Sequence, residues 1–458
     1  MTKTVSPDNS SLLNREFLEE YRSNDSPRSY RKKKTAGRKT TRKQLTVVLT
    51  VLFCFLGLVQ IVPAVRDAIR DKTGDLGRQW VVTHYVLGGV NPYPIALDAL
   101  RNRYGALAPN GPVHLRDTQI SDIPKLGPNA KTDSALGAPE ATYPPGSVMM
   151  LIPLGLLPKG TVAFMWALLN LGLVIVAAWQ LKTLAHPDEV SWLFFLGLVA
   201  VWPAVAICIM REQFSLLCLC CVLVAFRIQS SRPILAGLLY SVALLKPSMA
   251  IPFLVLPLLG AETSLTTKIK TLLALGVSQL ALLAGMCLAV RENPANLLAG
   301  WLGVAGYFRQ SIYTVQEFIT RLRLDGSAAD FGLQICVLLS GIFVAYRTPE
   351  KAKRLAILAI VSCIWTHHAR YDFVILLIPA ALLVATPINR QWVVESVALV
   401  FVAIGLLEFV YHGTGTLSAC LRMATRLSMA ALLMGIALDW VAALRLQQHS
   451  PSRASWAQ

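Results

Sequence analysis

Charge is what this 458-residue chain has least of: 15% of its residues are Asp, Glu, Lys or Arg, against 54% hydrophobic. Soluble domains carry about a quarter charged residues, so that class is excluded. Acids are scarcer than bases, 26 against 43, yet the surplus does not mark a nucleic-acid binder, because much of it is gathered in one tail. Residues 1–44 hold twelve Lys/Arg against five Asp/Glu, with Arg-Lys-Lys-Lys at 31–34 and further basic residues from 38 to 43. The chain has no Gly-rich nucleotide-binding loop, no internal repeat, no low-complexity domain and no zinc-type ligand spacing. Its nine cysteines include Cys54, Cys208, Cys287, Cys363 and the Cys-Leu-Cys-Cys run at 218–221, all within apolar stretches. Without His or acid at ligand spacing they read as buried thiols. Between residues 67 and 160 there is no cysteine at all.

What the chain has in abundance is apolar runs near twenty residues long, the first being QLTVVLTVLFCFLGLVQIVPAV at 44–65, and its mean hydropathy is +0.53. Lipid offers exposed backbone groups no partner, so such runs must be helices. The fold class is an all-α polytopic membrane protein. Spans are expected near 45–66, 161–181, 190–210, 214–229, 234–245, 247–260, 271–290, 331–346, 355–366, 373–388, 391–411 and 424–444. No small-residue cleavage site follows the first run and a long tail precedes it, so it reads as a retained span. The basic tail 1–44 lies where cytoplasmic positive charge is expected, and it can also hold anionic lipid headgroups. Twelve spans put both termini in the cytoplasm. The inner loops then carry Lys182, Arg227, Arg232, Lys268, Lys270, Arg347, Lys351, Lys353, Arg354, Arg390 and Arg445, each where the rule expects it. This divides the chain into the tail, the first span at 45–66, an extracytoplasmic loop with interfacial helices at 67–160, a transmembrane core at 161–346, C-terminal spans at 347–446 and a cytoplasmic tail at 447–458.

The outer side gathers ionisable residues from distant places. Asp75 opens an amphipathic stretch closed by Gly88-Gly89 and an Asn91-Pro92-Tyr93-Pro94 turn. Tyr143-Pro144-Pro145 precedes an apolar stretch, 148–157, too short to span and better suited to a re-entrant or surface-lying segment. Arg211 and Glu212 lie at 210–213, Lys246 in Leu-Leu-Lys-Pro-Ser, and His367, His368, Arg370 and Asp372 in one later turn. Each has a plain structural reading. Lys246 can snorkel to the interface, Asp75 can cap its helix, Arg211 and Glu212 can pair, and the histidine turn can be solvated. The alternative is that Lys246 is a cation for an anionic headgroup, most naturally a phosphate. Trp80 and Tyr85 would seat the Asp75 helix at the headgroup level.

The order of these motifs resembles glycosyltransferase family 87, a branch of the GT-C membrane glycosyltransferases. The similarity rests on GDLGRQWVVTHYVLGGVNPY, YPPGSVMMLIPLGLLP, REQFSLLCLCC through LLKPSMAIPFL, and HHARYDFVILLIPA, and covers about residues 45–386. Arg-Glu-Gln stands where the family commonly has Gly-Gln, so no family role carries over to Arg211 or Glu212.

The resemblance implies an inverting hexosyl- or pentosyltransferase that moves a sugar from a polyprenyl-phosphate donor to a glycolipid or glycan acceptor on the outer face of the cell membrane. Asp75 would be the general base. Lys246, with His367 or His368 and Arg370, would hold the departing phosphate, and Arg211, a cation on the same outer face with no role from the resemblance, would join them. Tyr85, Tyr143, Pro144 and Pro145 would shape the lipid groove. No metal or other cofactor is expected, and the partners are membrane lipids and the two substrates, with no nucleic acid. A transporter or flippase for an anionic lipid or solute is the rival class, against which stand the lack of a repeated half and of a matching pair of broken helices. A third reading, a non-catalytic assembly scaffold, would leave Asp75 and Lys246 replaceable without consequence.

Overall fold

The computed structural model describes residues 27–70, 74–104, 141–185, 190–259, 263–309, 327–366 and 370–384. His367, His368, the expected spans at 391–411 and 424–444, the basic Arg390 and Arg445, residues 1–26 of the N-terminal tail and the C-terminal tail lie outside the described residues. So does the whole of the loop from 105 to 140. Two compact units divide between Leu52 and Phe53, and the site belongs entirely to the second.

Every described element is helical. In order they are α1 (Pro27–Ile69), α2 (Asp75–Leu87), α3 (Pro92–Tyr104), α4 (Pro145–Gly155), α5 (Lys159–Ala185), α6 (Trp192–Val201), α7 (Pro203–Met210), α8 (Ser215–Ile228) and α9 (Pro233–Ala243). There follow α10 (Pro247–Ala250), a 3-10 turn (Ile251–Val255), α11 (Leu256–Leu259), α12 (Leu265–Val290), α13 (Pro294–Arg309), α14 (Ser327–Arg347), α15 (Lys351–Ile364), a 3-10 segment (Arg370–Leu376) and α16 (Leu377–Val384).

Among the described residues three helices are long and apolar enough to cross a membrane: Thr46–Ile69 within α1, α5 and α12. At about 1.5 Å per residue, the 24 to 27 residues of each exceed the roughly 30 Å of a hydrocarbon core. A fourth candidate is α6 with α7, which together pass the same test but bend by 63°. Pro203 is the cause: the residue before proline is driven out of the helical region, and Trp202 is extended at φ −68, ψ 116. The other apolar segments, including α4, α8, α9 and Pro247–Leu259, are shorter. Thus the run expected as one span at 190–210 is a broken one, and 247–260 is three short turns.

The interior is built on small residues that let helices approach closely. A Cβ at Gly237 would stand 2.3 Å from the Thr271 carbonyl, so α9 and α12 meet backbone to backbone there. Bonds from side chains to carbonyls join the elements where they break. Trp202 Nε1 donates to the Phe373 carbonyl at 3.0 Å, and Trp365 Nε1 to that of Ser248 at 2.8 Å. The opposite face of α12 stays bare, with Leu273, Val277, Leu280 and Leu288 exposed, an apolar surface suited to lipid.

Arg354, counted by the charge rule as an inner-loop cation, is buried and clamps three carbonyls, those of Thr348, Leu259 and Pro349.

Candidate active site

The site is assembled around the turn between α7 and α8, residues 211–214, together with Ser215, the first residue of α8. The bend at Trp202-Pro203 aims α7 at the start of α2, where the Asp75 amide donates to the Arg211 carbonyl at 3.0 Å. Gly74, not Asp75, is the N-cap of α2, and Asp75 is its first helical residue. An acid in the first turn is favoured there by the helix dipole. Gly74 permits a close approach: a Cβ at this position would lie 2.2 Å from Oε2 of Glu212, and one of the two would have to shift. Glu212 is 1% exposed and has φ 52, in the left-handed region. That conformation costs an L-residue about 1–2 kcal/mol. Next to it, Gln213 is 0% exposed, and neither Nε2 nor Oε1 has a hydrogen-bond partner among the described residues.

The far end of the same turn holds the cation. Lys246 precedes Pro247, which forces it extended (φ −122, ψ 85) and ends the run of α9. Its Nζ donates to Ser215 Oγ at 2.8 Å and to Asp372 Oδ1. Ser215 Oγ in turn donates to Asp372 Oδ1 at 2.6 Å. The ammonium also lies 4.1 Å from the centre of the Tyr371 ring, within cation–π range. Lys246 is 7% exposed and Asp372 4%. This is a buried, mutually satisfied triangle drawn from three elements, and it replaces the snorkelling picture of Lys246. Two of the three ammonium donors are used in hydrogen bonds to described residues, and the Tyr371 ring is the further contact of the ammonium.

Tyr143-Pro144-Pro145 forms the wall between these ends. Pro145 takes the first helical position of α4, where its missing N–H is no loss. Tyr93 Oη donates to the Tyr143 carbonyl at 2.9 Å, Trp301 Nε1 to the Thr142 carbonyl at 3.1 Å, and Ser147 Oγ to the Leu244 carbonyl at 3.1 Å. The Tyr143 ring meets Phe214 edge-on at 5.2 Å, and Phe214 meets Trp166 at 4.9 Å. Burial above all, and then the carboxylates of Asp75 and Asp372, hold the Tyr143 hydroxyl well above its ordinary range. Tyr143 therefore lies within electrostatic reach of the carboxylates at both ends.

The remaining expected residues fall less centrally. Arg211 is exposed, and its carbonyl rather than its guanidinium is what meets Asp75. Arg370 opens the 3-10 segment next to Tyr371. Tyr85 is 1% exposed and belongs to the core, not to a headgroup rim, whereas half-buried Trp80 bonds the Leu157 carbonyl at 2.9 Å. The Gly88-Gly89 stop forms as expected, with Gly89 at φ 73. Asn91-Pro92-Tyr93-Pro94 differs. It starts helix α3, with Asn91 Oδ1 accepting from the Tyr93 amide at 3.1 Å, because an Asn followed by Pro is as good a helix start as a turn.

Ser215, Tyr371, Gln213 and Arg78, the last acting on Tyr371 electrostatically, lie within the stretches that carry the family resemblance, but nothing there singles them out as site residues. Asp372, named in the sequence with the histidine turn, is the buried anion that a buried cation such as Lys246 needs, and that need could have paired the two. Chemically the arrangement offers a carboxylate at one end, a compensated cation at the other, and a polar turn with an aromatic wall between them.

A family model described as glycosyltransferase family 87 matches residues 141–367, a span holding Tyr143, residues 211–215 and Lys246, with Asp372 just beyond its end and Asp75 well before its start. Neither a curated protein nor a solved structure matches the chain.

Proposed function

We propose, for a chain that its residues 141–367 place in glycosyltransferase family 87, that it transfers a hexose or pentose from a polyprenyl-phosphate donor to a glycolipid or glycan acceptor at the outer face of the membrane. The observation that carries this reading is the single turn that touches both Asp75 and the Lys246–Asp372 pair. Lipid-linked donors lie at the bilayer surface, and the apolar helices of this chain flank the turn.

The acceptor hydroxyl approaches the anomeric carbon on the Asp75 side. As its oxygen forms a bond to that carbon, its proton passes to the Asp75 carboxylate. The bond from the anomeric carbon to the phosphate oxygen breaks with its electron pair, and the lipid phosphate leaves with inversion. Lys246 stabilises the charge gathering on that phosphate, assisted by Arg370, by His367 or His368 and by Arg211 at the rim. Because Asp372 already offsets Lys246, these further cations supply the net positive charge. The displacement runs without a metal in this scheme. Tyr143, Pro144 and Pro145, with Tyr85 behind them, shape the passage for the polyprenyl chain.

The interrupted segments 192–210 and 247–259 also suit a flippase, and the test separates the two. Purified protein in lipid nanodiscs is given an acceptor lipid extract and polyprenyl-phosphate glucose, mannose, galactose or arabinose in turn. Transfer from at least one donor is expected. Retention of every donor intact, with donor movement across vesicles instead, would contradict the reading.

A further inference from the structure

An in-line displacement fixes where the sugar must lie. The attacking and leaving oxygens stand on opposite sides of the anomeric carbon, so the ring bridges the base and the phosphate-binding cation. In this protein the segment that joins those two ends is Glu212-Gln213-Phe214, since Arg211 meets Asp75 on one side and Ser215 meets Lys246 on the other. Resting on the proposed transfer reaction, we infer that Glu212 and Gln213 are the specificity residues of the donor-sugar subsite, hydrogen-bonding the hydroxyls of the transferred ring.

Two independent features of the turn point to a ligand. Gln213 is entirely buried, yet neither its amide nitrogen nor its amide oxygen has a partner among the described residues. A buried donor and acceptor left unmet are unfavourable in the empty protein and become favourable when a hydroxyl-bearing ligand meets both. Glu212 is held in the left-handed region at φ 52, where an L-residue is strained. Its carboxylate lies against Gly74, the residue before Asp75. Strain of this kind persists where the surroundings over-determine it, commonly at ligand sites. A carboxylate and an amide side by side can each engage a neighbouring hydroxyl, and the Tyr143–Phe214–Trp166 aromatic cluster lies behind them. The ligand class is therefore a neutral, polyhydroxylated sugar ring, read by the directions of its hydroxyls.

The test uses full-length protein in nanodiscs and the same four polyprenyl-phosphate sugars. Gln213→Leu removes both amide atoms and puts an apolar group in a buried place, so its thermal stability should equal or exceed that of wild type. Glu212→Asn removes the charge and keeps a residue that tolerates positive φ. Each variant should lose at least about tenfold in kcat/KM for the preferred sugar, and the ratio between preferred and epimeric donors should narrow. Wild-type transfer with kcat/KM and sugar ranking unchanged in both variants would overturn this inference alone. Loss of thermal stability in Gln213→Leu would show that the amide has a structural partner and would overturn its assignment. No transfer by wild type from any of the four would overturn the proposed function and this inference with it.

Discussion

Asp75 and Lys246 stand at opposite ends of one site and are held in opposite ways. The Lys246 side chain is locked by Ser215, Asp372 and the Tyr371 ring, deep in the protein. Asp75 is held by its backbone, through the amide bond to Arg211 and the tight seating of Gly74 on Glu212, and no described hydrogen bond occupies its carboxylate. The difference teaches which tests are clean. A side chain locked into a buried network serves fold and chemistry together. One positioned by its backbone can be changed in chemistry alone.

The largest effect should follow from breaking the locked end. Lys246→Met leaves Asp372 buried without its cation, and losing one partner of a buried pair typically costs about 3–5 kcal/mol. Denaturation in mild detergent should show that loss, along with lost transfer. Adding Asp372→Leu should restore much of the stability but none of the transfer, and a double-mutant cycle would measure the coupling. Recovered transfer in the double variant would mean that the pair serves structure only.

A smaller effect is expected where backbone placement is disturbed. Gly74→Ala sets a methyl group against the Glu212 carboxylate, so either that side chain or the start of α2 must shift. Transfer should fall by roughly tenfold, because slight misplacement of a base is enough, while far-ultraviolet circular dichroism and melting temperature stay close to wild type. The smallest effect belongs to Arg211→Ala. The exposed guanidinium contributes little to stability, within about 0.5 kcal/mol for a surface change. Only donor KM should rise, by a few-fold, since the carbonyl that meets Asp75 remains.

Much of this arrangement was legible in the sequence, and the part that was not has physical causes. Apolar runs marked α1, α5 and α12 as long helices, and Gly88-Gly89 marked the end of α2. Pro203 carried the signal for the break in 190–210, but in lipid-like sequence a proline is compatible with a continuous span, so hydropathy alone hid it. Asp75, Tyr143 and Lys246 could be singled out because each is chemically odd in its surroundings. Asp372 could be named but not paired with Lys246, and the other partners could not be singled out. Ser215 looks like any helix-start serine, and Gln213 like any loop amide, until a fold brings them between two distant charges. The histidines remain expectations, since His367 and His368 lie outside the described residues.

The central claim is that Asp75 removes the acceptor's proton while other residues hold the donor. Its most direct test is the transfer rate of Asp75→Asn beside its affinity for the polyprenyl-phosphate sugar that wild type uses. Because Asp75 is placed by its backbone, the variant should melt with wild type and bind donor within about twofold of it, the change touching none of the phosphate contacts. Transfer should fall by roughly a hundredfold or more, the usual worth of a general base. Near-normal transfer by a stable Asp75→Asn protein would contradict the account and place the base elsewhere.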